Sequence, residues 1–234
     1  MASLLTRRPR ALGCARWMLY RPVSTLPGNP HIYAFPDPSR PGNHILSLLP
    51  TDPPKPELAI GTTSKVPPTP DSFEENPTFL QILQEVLSEH ATKDPEVQAQ
   101  AKVMVSTAGA NLGSGGIFFG PQRSRNKRGP GFGTGGATGG DSAGGASGQG
   151  GVGSGGRGGW IHVSDSRRPP EFGRIAWPED IFGSLEVDGN GNFVGENGNY
   201  QSSGTYRIIT RNGILGLSPF LREKLVEKLR EKAK

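Results

Sequence analysis

Apolar positions along this chain change their spacing several times, and each change marks a new element. From Asn76 to Leu87, "NPTFLQILQEVL", residues Phe79, Leu80, Leu83, Val86 and Leu87 recur at three- and four-residue intervals, the spacing of one helix face. Asn76 is a suitable cap and Pro77 a favoured first helical residue. Asp94 and Pro95 repeat that signal, and Val97, Ala101 and Met104 predict a second helix to about Ser106. Joined by "ATKD", the two make a helical hairpin over 76–108. It is too short to bury a core alone and must dock onto other structure.

Towards the C-terminus the period shortens to two. "WIHVS" reads as a strand, and "SLEVDGNGNFV" as a hairpin that turns at Asp188 to Gly191, where Asp-Gly and Asn-Gly steps supply positive φ. "GTYRIIT" and "GILGL" pair around Arg211, Asn212 and Gly213, while "RRPPEFGRIAWPEDIFG" breaks the alternation and reads as irregular. Ser218 and Pro219 then open a final helix with Leu221, Leu225 and Leu229 on its buried stripe and a basic end at Lys232 and Lys234. Residues 160–234 thus predict a small antiparallel β-rich domain closed by a C-terminal helix.

Proline and glycine punctuate the rest, with 22 and 35 residues respectively. Twelve prolines between Leu26 and Pro70 hold that stretch extended or polyproline-like, so 24–75 is expected to be a proline-rich arm lying along a surface. Its apolar teeth, Ile32, Tyr33, Phe35, Ile45, Leu46, Leu48 and Leu49, are expected either to contact a partner or to pack on the chain itself. From Gly129 to Gly159, 17 of 31 residues are glycine and no apolar period survives, so 109–159 is read as a disordered Gly-rich linker. The fold class expected is α+β: arm, helix pair, linker, and β-rich domain.

Charge changes the picture only at the start. The chain is net +5, but Arg7, Arg8, Arg10, Arg16 and Arg21 precede the first acidic residue, Asp37, and the other 21 basic residues balance 21 acidic ones. An Arg-rich, acid-free leader with Leu5, Leu12 and Leu19 on one helical face has the composition of a mitochondrial presequence over 1–23, with cleavage near Pro22. A disordered basic tail on a cytosolic or nuclear protein is the alternative. A secretory signal would need an unbroken apolar run, which Gly13 to Arg16 interrupts. The single cysteine, Cys14, lies in the leader, so a cleaved chain would hold no thiol for disulfides, nucleophilic catalysis or thiolate metal sites. No apolar run reaches transmembrane length.

Candidate chemistry is sparse. "DGNGNFVGEN" places Asp188, Asn190 and Asn192 at calcium-loop positions, but Phe193 stands where glycine is needed and Asn199 where a closing Glu is needed. "GFGTGG" satisfies the dinucleotide pattern without the strand and helix that give it meaning. His31, His44, His90 and His162 are scattered, and no nucleophile elbow or Walker motif is present, so neither a cofactor nor a catalytic site is expected. Arg123, Arg125, Lys127, Arg128 and Arg157, next to glycine-rich sequence, could contact RNA phosphates. Arg167 and Arg168 invite the same reading, but Asp165 and Glu171 flank them and favour local pairing. Glu179 and Asp180 are expected to cap a turn.

The segments "HILSLLP", "TFLQILQEVL", "IAWPEDIFGSLEV" and "GNYQSSGTYRIITRNGILGLSPFLREKL" carry a resemblance. The chain resembles a group of fungal mitochondrial proteins that share the arm, the helix pair, the spacer and this ending. More distantly it is similar to the family of the yeast mitochondrial factor required for degradation of unstable cytochrome c. The resemblance spans most of the chain outside the leader and linker and carries over no catalytic residue. It implies a non-enzymatic accessory or adaptor protein in protein turnover, with cytochrome c or its turnover machinery as partner. A mitochondrial ribosome- or RNA-associated factor is the alternative.

Overall fold

The computed structural model describes residues 24–105, 158–170 and 174–234. They form an α+β fold of antiparallel sheets and three α-helices. The presequence expected over 1–23 lies outside the described residues, as does all of the 109–159 linker but Gly158 and Gly159.

The proline-rich segment is largely extended, with single 3-10 turns at Pro56–Leu58 and Pro70–Ser72, and its strands pair with one another in chain order. β1 (Ser24–Leu26), β2 (Asn29–Pro36), β3 (His44–Ser47), β4 (Gly61–Thr63) and β5 (Phe73–Glu75) make a five-stranded meander. Prolines fall where the ladder needs no N–H. Pro27 and Gly28, with Gly28 at φ 81°, turn β1 into β2, the arrangement a type II turn requires. Pro36 ends β2, and Pro53 to Pro56 lie in the β3–β4 connection.

This pairing packs most of the arm's apolar residues on the chain itself rather than on a partner, and of the seven Tyr33 and Leu48 also line a surface groove. Ile32 and Leu46 are 0 % exposed, Leu48 and Leu49 are buried with them in the main core, and Phe35 and Ile45 are buried on the opposite sheet face. Alternation along a strand sends neighbouring side chains to both faces, and here both faces are covered. Of the seven, Tyr33 alone keeps substantial exposure.

α1 (Pro77–His90) follows directly. Asn76 caps it, accepting from the Thr78 N–H, while its amide donates to the carbonyls of Pro56, Glu57 and Ala59. One side chain thus ends the meander and starts the helix. Phe79, Ile82, Leu83, Val86 and Leu87 are buried. α2 (Pro95–Val105) buries Val97, Ala101 and Met104, the stripe its sequence predicts.

In the C-terminal part, β6 (Gly159–Ser164), β7 (Ile181–Val187) and β8 (Gln201–Ser202) form a three-stranded sheet, and β9 (Ile209–Thr210) with β10 (Gly213–Ile214) a tight hairpin. β7 begins at Ile181, three residues earlier than the alternation suggests, because Ile181, Phe182 and Gly183 are all buried and show no polar face to read. The turn at Asp188 is present, with Val187 bridging Phe193. α3 (Pro219–Ala233), capped by Ser218, buries Leu221, Leu225 and Leu229.

The C-terminal helix packs against α1 as well as closing the β-rich part. Lys228 pairs with Glu85 at 2.9 Å, and Lys232 with the same carboxylate at 3.2 Å, which holds Glu85 below the usual carboxylate range. One apolar cluster runs from Leu26 through α1 and α2 to Leu229. The meander, the helix pair and the β-rich part therefore share a core rather than standing as separate arm and domain.

Candidate functional site

At the end of β6 the chain buries three charged side chains together. Asp165 and Asp180 are 1 % and 0 % exposed. Between them lies the Arg167 guanidinium, whose Nε donates to Asp180 Oδ1 at 2.6 Å and sits 3.6 Å from Asp165 Oδ2. Its remaining nitrogens donate to the carbonyls of Glu179, Arg207 and Ile208 at 2.8–2.9 Å. A planar fork with five donors suits such a junction, where a lysine could not reach every acceptor.

Asp165 is satisfied from the other side. Its carboxylate accepts from the N–H groups of Arg167 and Gly216 and from the Tyr206 hydroxyl at 2.9 Å. Burial nevertheless outweighs the Arg167 charge and these bonds, raising the Asp165 carboxyl to about 6. Gly216 is required by the close approach: a Cβ there would lie 2.7 Å from Asp165 Oδ1 and 2.8 Å from the Arg167 nitrogen. The network ties the end of β6, the turn before β7, residues 206–208 and the β10–α3 connection into one rigid corner.

That corner forms one wall of a cleft of about 300 Å³ between β2, the β9–β10 hairpin and the first turns of α3. Asn29, His31, Asn212 and Arg222 line it over an apolar floor of Ile214 and Leu217. His31 and Arg222 also line a larger groove of about 870 Å³, which continues between β2 and α3 past Tyr33, Leu48 and Val226 to Lys234. Burial, and secondarily the Arg222 charge, lower the affinity of His31 for a proton and so favour its neutral imidazole.

Charge is distributed unevenly along this groove. The cleft end contains no acidic lining residue, whereas Glu223, Glu227 and Glu231 alternate with basic residues along the helix. Lys224 pairs with Glu227, and Lys228 and Lys232 with α1. Arg222 has no ion pair or side-chain hydrogen bond among the described residues. Sequence carries a faint sign of this: Ser218, Pro219, Leu225 and Val226 occupy its i±3 and i±4 positions, so no helical neighbour can pair with it.

Other sites raised by the sequence resolve as follows. Arg123, Arg125, Lys127, Arg128 and Arg157 lie outside the described residues, and the structure does not bring them to this groove or away from it. Asp165 pairs with Arg167 locally, as its position suggests, while Arg168 lies over the exposed Trp177 ring at 5.9 Å. Asp180 is not a turn cap; its carboxylate is the nearer partner of Arg167. Asp188 spends its oxygens on Asn190 and Asn192 within its own turn. His31 and Arg222 gain their significance only from the fold, since 191 residues of chain separate them.

Among the described residues, no group of three His, Cys, Asp or Glu side chains is placed to hold a metal ion, and no helix is long and apolar enough to cross a membrane. Comparison with protein-family models, with curated proteins and with solved structures found no match.

Proposed function

We propose that this chain is a non-enzymatic mitochondrial adaptor that seats an extended segment of a partner protein in the groove between β2 and α3. The observation that carries the reading is the groove's length. From Pro219 to Lys234 the helix rises about 22 Å, at 1.5 Å per residue. That matches about six or seven residues of extended chain. The lining sets Tyr33, Leu48 and Val226 among charged residues of both signs, too polar for a small-molecule cavity and closer to the polar rim of a protein interface.

The resemblance drawn from the sequence supplies the client to test first, unstable cytochrome c, with the adaptor directing it to degradation. The Arg-rich leader supports a mitochondrial address.

The test is affinity purification of the C-terminally tagged chain from isolated mitochondria, with and without nuclease, alongside a variant carrying Val226→Glu in the groove. Recovery of cytochrome c or its turnover machinery that resists nuclease and is lost with Val226→Glu supports the adaptor. Recovery of ribosomal proteins that vanish with nuclease would replace it with the RNA-associated reading.

A further inference from the structure

We propose that the cleft at the β9–β10 end of the groove is a carboxylate subsite, in which Arg222 receives the side chain of an Asp or Glu carried by the partner's extended segment. The proposal rests on the adaptor reading and adds to it a chemical requirement on the partner.

Arg222 is the half-buried charge of the groove that has no ion pair among the described residues. The neighbouring lysines of α3 are paired, and Arg230 and Lys234, which also lack an ion pair among the described residues, are exposed to water. Arg222 is half-buried, so part of its hydration is lost without a protein acceptor in return. An arriving carboxylate restores that bonding, and a guanidinium can grip both oxygens at once.

The surroundings select a singly charged acid. Arg167 also borders the cleft, but its charge and donors are committed to Asp165, Asp180 and three carbonyls. With Arg167 committed, Arg222 is the one Lys or Arg of the cleft left to meet a ligand, and its single charge balances a carboxylate but would leave a phosphate dianion half-compensated. The imidazole and the amides of Asn29 and Asn212 provide further donors, and Ile214 and Leu217 offer the methylenes of an acidic side chain an apolar floor. Along the rest of the groove the acids Glu223, Glu227 and Glu231 lie among Lys224, Arg230 and Lys234, whose exposed or paired charges offer a second acidic residue less than the half-buried Arg222 does, so the preference is strongest at one end of the bound segment.

The experiment selects binders to the full chain from a random seven-residue peptide library, then remakes each selected peptide with its acidic residue replaced by the amide. Anisotropy of the fluorescein-labelled peptides is read on the native chain, Arg222→Gln and Arg222→Glu, each first shown to melt at the native temperature. The expected result is one acidic position common to the selected peptides and a loss of about tenfold when it becomes an amide. Arg222→Gln should erase that difference, and Arg222→Glu should favour the same peptide carrying Lys. The His31 imidazole, followed by NMR, should become easier to protonate when the acidic peptide is bound, because a nearby carboxylate favours the charged ring. Selected peptides without an acidic preference, or a preference that survives Arg222→Gln, would overturn the subsite and leave the groove standing. Failure to select any peptide would overturn both.

Discussion

The Ser218 hydroxyl donates to the Asp94 carboxylate across a sequence separation of 124 residues, and each of these residues caps a helix. Asp94 accepts from the Glu96 N–H at the start of α2, and Ser218 accepts from the Leu221 N–H at the start of α3. Both are buried, so the pair joins two helix origins at a point that water does not reach. A buried carboxylate bonded to a hydroxyl and a backbone N–H also fixes where α3 starts relative to the helix pair, and so sets one wall of the groove.

Removing this shared cap should cost more than one helix end is worth. Ser218→Ala is expected to destabilise by about 1–2 kcal/mol and Asp94→Ala by about 2–3 kcal/mol. Urea denaturation of the double variant should show less than the sum, because the second change removes an interaction already lost. Simple additivity would mean that the two caps act independently.

Arg167 presents a sharper case. Arg167→Met keeps much of the volume but leaves Asp165 and Asp180 buried without their counter-charge, and breaks the bonds to the carbonyls of Glu179, Arg207 and Ile208. The expected loss is about 3–5 kcal/mol in the denaturation midpoint analysis. Adding Asp180→Asn to that variant should recover part of the stability, since one uncompensated charge disappears. No recovery would show that packing rather than charge governs the corner.

Asp165 gives the corner a pH signature of definite sign. Its carboxyl is raised to about 6 by burial from an ordinary value of 3.8, so the folded state holds its proton more tightly than the unfolded chain. The stability from this group is therefore fully present below about pH 4 and is lost as pH rises through about 6, by roughly 2–3 kcal/mol. Glu85, held below the usual range by Lys228 and Lys232, contributes in the opposite sense. The measurement is thus a difference: stability against pH for the native chain minus that for Asp165→Asn should fall across this window. A flat difference would show that Asp165 titrates normally.

Gly216 tests the geometry of the same corner without touching a charge. Gly216→Ala places a methyl against Asp165, Ser166 and Arg167, none of which can yield while the network holds. A loss of at least about 2 kcal/mol is expected. In contrast, Gly204→Ser, where a Cβ has open space around it but φ is 66°, should cost only about 1 kcal/mol of backbone strain.

The proposed presequence over 1–23 bears on address rather than stability. Replacing Arg7, Arg8 and Arg10 with Gln should abolish mitochondrial import, read by fractionation with protease protection. Continued residence in mitochondria would show that the leader is not what directs the chain there.

Local signals were legible wherever a short stretch of residues answers to its own backbone. The Asn76-Pro77 and Ser218-Pro219 helix starts, the buried stripes of Val97, Ala101 and Met104 and of Leu221, Leu225 and Leu229, and the turn at Asp188 all follow from capping, periodicity and positive φ. Proline content announced the extended backbone of much of the stretch between β1 and β5, but not the 3-10 turns that begin at Pro56 and Pro70. It could not announce pairing, because which strand lies beside β2 is settled by burial on both faces of the sheet.

Beyond the local Asp165–Arg167 pair and the pairing-free helical neighbours of Arg222, the site belongs to tertiary structure. His31 and Arg222 share a cleft, Arg167 finds Asp180 as well as its near neighbour Asp165, and Asp94 meets Ser218, only because one core draws the meander, the helices and the β-rich part together. Periodicity reports which face of an element seeks burial, but not what it will be buried against. Charge pairing over long separations is decided after that choice, when desolvation makes each buried ion depend on whichever partner the packing has brought within reach.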